Sequence, residues 1–92
     1  MDIPADAVGF HLTLDATAQA GILTAAAAGT VSAAAGAVVT NATVSADGVN
    51  IVGSGTFTKI TVTADVKTPG TISATTTATI VNNSAVAVSG SG

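Results

Sequence analysis

His11 is the only histidine in this sequence, which makes it the one candidate general base. A triad needs a nucleophile and an orienting carboxylate beside such a histidine. Asp15 follows on the same face of an extended segment, roughly 13 Å away at the rise of a strand, and no serine stands in a nucleophile-elbow context. Metal chemistry is as poorly supplied. Asp2, Asp6 and His11 meet only if the N-terminal segment folds back, and Asp47-Gly48-Val49-Asn50 offers two oxygen side chains where calcium takes about six to eight ligands. Gly53-Ser54-Gly55 lacks the lysine of a phosphate loop and the third glycine of a dinucleotide loop, so it reads as a turn or bulge. Asn41-Ala42-Thr43 and Asn82-Asn83-Ser84 match the glycosylation pattern, as arises freely in a threonine-rich chain. No catalytic residue, cofactor site or metal site is expected, and the chain does not read as an enzyme.

The elements that must position these residues come from an unusual composition. Five Asp and two Lys are the only side chains of fixed charge among 92 residues, giving a net charge of −3, and Glu, Arg, Cys, Trp and Tyr are absent. Charged residues make up 8%, against roughly 25% in an ordinary domain, so the solvent face must be built from Thr, Ser, Asn, Gly and Ala. With only Lys59 and Lys67 basic, there is no electrostatic footprint for nucleic acid. The absence of cysteine excludes a disulfide scaffold. The stretch 21–39 is uncharged, but it lacks aromatic or basic anchors and carries β-branched alternation, so a membrane span is not expected. The acidic N-terminus has no basic segment ahead of an apolar run and does not read as a secretory signal.

Alternation of apolar and polar residues predicts strands. Val8, Phe10, Leu12 and Leu14 share one face of the first; 16–28 reads as a loop with a short strand or helical turn; 30–35 and 38–45 alternate again. Asp47-Gly48 between 38–45 and 49–52 is a strong hairpin signal. From 56 to 66, Ile60, Val62, Ala64 and Val66 share a face, and Phe57 falls out of phase. Either a bulge near Thr58 corrects the register or Phe57 projects from the outer face. Thr68-Pro69-Gly70 reads as a turn, 71–81 as a strand with Thr71, Thr75, Thr77 and Thr79 outward, and Asn82-Asn83 as a turn returning 85–89. These elements predict a single antiparallel β-sandwich or small barrel of about seven short strands over 1–92, with a flexible arm at 1–7 and a tail at 89–92. No fixed period of 20 to 50 residues is evident, so a solenoid or propeller is not expected.

Two resemblances accompany this reading. Thr-x-Thr recurs at 56–58, 61–63, 75–77 and 77–79 and resembles the motif of ice-binding proteins, which implies an ice-facing array of methyl and hydroxyl groups over about three strands. The whole chain, with its initiating Met, no cysteine and an Ala/Thr/Val/Gly-rich all-β pattern, resembles in style the small decoration, or cement, proteins of bacteriophage capsids. That resemblance implies a virion component made in the host cytoplasm, oligomeric or lattice-bound, whose partners are its own copies or a capsid protein. Phe57, Phe10, Ile3, Thr71, Thr75, Thr77 and Thr79 are then the expected contacts, because aromatic anchors and extended termini supply buried area. The alternative is a self-assembling extracellular filament or surface-layer subunit, in which neighbours complete undefended sheet edges.

Overall fold

The structure, a computed structural model, describes residues 1–73 and 76–86, and the side chains of all of these except 76–78. Among the described residues eight strands form, in chain order: β1 Asp2–Ile3, β2 Phe10–Leu14, β3 Gln19–Ala25, β4 Gly29–Ala33, β5 Val38–Val44, β6 Val49–Gly53, β7 Thr56–Val62 and β8 Thr76–Asn82. Odd strands and β8 make a five-stranded sheet A in the order β1-β3-β5-β7-β8, and the even strands β2-β4-β6 make sheet B. Every pairing is parallel. The chain is thus a β-solenoid of about 4 turns, not an antiparallel sandwich or barrel.

The difference lies at the corners. Asp47-Gly48 does place a glycine at φ 71°, but it turns the chain from sheet A into sheet B instead of folding β6 back on β5. Each strand is followed by such a corner, so the next strand of the same sheet arrives one full coil later and runs the same way. Partners therefore lie 18 to 22 positions apart, as Val38 with Thr56 and Asp2 with Thr24. A coil of about 20 residues is the period that the sequence reading missed.

Further expectations change. The 16–28 segment contains a full strand, β3, whose Leu23 and Ala25 are buried. The 71–81 strand is divided: Ile72 bridges to Ile51 beside sheet B, while β8 belongs to sheet A. β7 ends at Val62, with a turn at Ala64 and Asp65. In the expected return segment, Ala85 and Val86 form a bend, and 87–89 fall outside the described residues, as does the expected tail at 89–92. Within the 1–7 segment, β1 pairs with β3 and Ile3 is buried.

The core lies between the sheets and is made of stacked columns. From sheet A come Val39 over Phe57, Leu23 over Ala42 and Ile60, and Ala25 over Val44 and Val62; Val31 over Ile51 comes from sheet B. In β5 and β7 the ladder skips Thr40 and Thr58, where two successive residues lie at the surface. This stacked irregularity shifts the alternation by one residue. Phe57 consequently turns inward and is 0% exposed, so it presents nothing to a partner.

Corners are held by carbonyls and short polar side chains of the adjacent coil. Ala33 O accepts the Ser54 and Gly55 N–H groups at 2.9 and 3.0 Å. Asn50 Oδ1 accepts Thr71 N–H at 2.9 Å on the sheet B side, where pairing between the third and fourth coils is reduced to the Ile51–Ile72 bridge.

Candidate functional site

The residues with catalytic potential are dispersed. His11 is exposed on the outward side of sheet B, in one column with Thr30 and Asn50. Asp15 sits at the following corner, and its Oδ1 accepts the Thr17 hydroxyl at 2.9 Å and the Thr17 N–H at 3.0 Å. Those two bonds, the hydroxyl foremost, hold the Asp15 carboxyl below its usual range and commit it to the corner. Among the described residues no three His, Cys, Asp or Glu side chains converge to hold a metal ion. The Gly53-Ser54-Gly55 corner spends two N–H groups on Ala33 O, so they do not form an anion cradle.

Asp47 has a structural task across coils. Its Oδ1 accepts the N–H groups of Lys67 at 2.6 Å and Thr68 at 3.0 Å. The Thr68 bond first, then the Lys67 bond, lowers its pKa from 3.8. A carboxyl whose folded value is depressed contributes stability that is complete above its unfolded value and disappears as pH falls through the folded one. The urea midpoint of the wild type should therefore decline below about pH 3.8, and Asp47→Asn should show a shallower decline over that interval. Equal slopes in a pH series of urea titrations would refute the assignment.

What remains as a site is surface. The outer face of sheet A stacks Ile22, Asn41, Lys59 and Thr79 in one exposed column, and Thr24, Thr43, Thr61 and Val81 in a half-buried one. Thr40 and Thr58 stand exposed beside them. Neighbouring rows are separated by the strand spacing of about 4.8 Å, so this is a rigid, repeating and almost uncharged face. Lys59 is the one fixed charge in these columns.

Among the expected contacts, Thr79 lies in the first column and Thr71 is exposed beside the Ile51–Ile72 bridge. Ile3 belongs to the core cluster, and Phe10 is half-buried with its ring over Gly29, where a Cβ would lie 2.2 Å from the Phe10 Cδ2. Thr75 and the side chain of Thr77 lie outside what the structure describes. The threonine row expected on 71–79 is therefore not one strand face. The aligned hydroxyls are instead Thr24, Thr43 and Thr61, one from each successive coil. The sequence reading missed Ile22 and Ile80, whose exposures are 60 and 45%, while Val8, in the N-terminal arm expected to make contacts, is 73% exposed. The coil register puts Ile22 on the outer face and Ile80 at the open end of an inner column.

The fold defines a short parallel β-solenoid presenting flat outer faces. No protein family matches this chain, and no curated protein or solved structure is significantly similar to it. Among the described residues no helix is long and apolar enough to cross a membrane.

Proposed function

We propose that this chain is a non-enzymatic structural subunit that binds a repeating particle surface through the outer face of sheet A, in the manner of the capsid decoration proteins that its composition resembles. The observation that carries the reading is the alignment of short, uncharged outward side chains, Thr24, Thr43 and Thr61 beside Ile22 and Asn41, on one hydrogen-bonded sheet. A surface already ordered in the free protein loses little conformational entropy when it docks, so weak contacts repeated at a fixed spacing add up. The low charge of the face limits the desolvation that docking costs.

Co-sedimentation with capsids of the particle that carries the protein tests this reading. The wild type should pellet to a saturating ratio. The double variant Thr43→Lys, Thr58→Lys should stay in the supernatant while its melting temperature remains near that of the wild type, because both side chains project from the sheet. A wild type left in the supernatant would refute the reading.

A further inference from the structure

We propose that the two ends of the solenoid bind each other between copies, so that the chain stacks head to tail and extends its own sheets. This goes beyond binding to a particle and does not require it, because the ends carry the contact and the outer face does not.

At the C-terminal end one inner column is left uncovered, and at the N-terminal end the first coil covers the core only in part. Ile80 is in register with Ile60, Ala42 and Leu23, which are 0, 2 and 2% exposed, yet Ile80 itself is 45% exposed. At the opposite end Phe10, Leu12, Ala18 and Ala20 are only half-buried against the core, and Met1 and Val8 are 60 and 73% exposed. Backbone edges are open at the same places. β1 covers β3 only at Thr24 and Ala25, with Met1 N–H reaching Ile22 O, and among the described residues no strand pairs with the outer edge of β8. A solenoid coil cannot bury its inward face alone, and the surface it needs is that of another coil.

The occupant that fits is a second copy. Each end offers parallel strands with the same coil period, and the interface would repeat the contact that already joins coil to coil within the chain. Charge favours the same pairing. Asp2, Asp6 and Asp15 lie in the first coil with no lysine, whereas both lysines, Lys59 and Lys67, lie in the fourth together with Asp65. The corners that follow sheet A stack in one line, as Gly29 N–H to Gly48 O and Gly48 N–H to Thr68 O show, and Asn83 N–H to Val62 O carries that line on to the segment after β8, beside which the 4–9 segment of a following copy would lie. Because the two ends differ, the contact is heterologous and does not close on itself, which gives open filaments.

Ile80→Lys disables the C-terminal end and Val8→Lys the N-terminal end, each at a side chain already exposed in the single chain. Sedimentation velocity of the full-length wild type should show mass rising with concentration, and negative-stain images should show filaments. Each variant alone should stay at monomer mass with an unchanged circular dichroism spectrum. An equal mixture of the two should form a species of twice the monomer mass and no larger, since one intact end remains on each partner. Thr40→Lys, on the outer face, should leave filaments intact. A wild type monomeric at every concentration, a variant that dimerises alone, or filaments lost in Thr40→Lys would overturn the proposal. None of these results decides capsid binding, which co-sedimentation reads separately.

Discussion

Phe57→Ala should lower the melting temperature by on the order of 20 °C, with most molecules unfolding well before the wild type begins to melt. Phe57 is the largest fully buried side chain among the described residues and lies in register with the buried Val39. Truncating a buried Phe costs roughly 3–5 kcal/mol in transfer and cavity terms together. A domain of this size has total stability of about 5–15 kcal/mol, so the loss is a large share of it. Thermal unfolding followed by far-ultraviolet circular dichroism measures it directly. A variant melting within a few degrees of the wild type would mean that Phe57 does not fill the interior.

The second large effect is expected at a corner. Gly53 has φ 107°, and a Cβ there would lie 2.1 Å from the Ala33 carbonyl oxygen. That oxygen cannot move away freely, because it accepts both Ser54 and Gly55 N–H groups. Gly53→Ala combines a left-handed backbone penalty with a clash against main chain, together roughly 2–5 kcal/mol. Gly21→Ala is the matched control: nothing lies within 4 Å of its Cβ position, and the substitution should be neutral or stabilising by about 0.5 kcal/mol. Urea midpoints of the pair should diverge in opposite directions or nearly so. Similar losses in both would remove the corner geometry as the cause.

The strands themselves were readable because alternation reports burial whatever the partner strand does. β2, β4 and β6 lie where apolar and polar residues alternate, and β5 and β7 where they do so on either side of one skipped residue. The direction of pairing was not readable, because Asp-Gly serves an antiparallel hairpin and a solenoid corner equally well, and the distinction rests on which sheet receives the next strand. The period was hidden by drift, with offsets varying from 18 to 22. It was also hidden by substitution within columns, since Leu23, Ala42 and Ile60 occupy one site with quite different volumes. A signal did exist. Ala20, Leu23 and Ala25, then Val39, Ala42 and Val44, then Phe57, Ile60 and Val62 repeat the same inward spacing of three residues and then two, coil after coil. A search for strict alternation discards it, and Phe57 looks misplaced until Val39 and Ala20 are seen to share its phase.

The candidate site was legible in kind and not in place. A thin supply of ionisable groups already pointed to contact surfaces over catalysis. The residues chosen for contact came from size and from a threonine row along one segment, whereas the structure aligns Thr24, Thr43 and Thr61 across segments.

Because each coil packs chiefly on the coil before it, the chain has a natural order of assembly. A nascent polypeptide leaving the ribosome has a finished template for every new turn, so growth can proceed from the N-terminus without waiting for distant sequence. The same arrangement lets a whole turn be duplicated or lost within the gene with little disturbance to the others, which makes length the easiest property of such a protein to change.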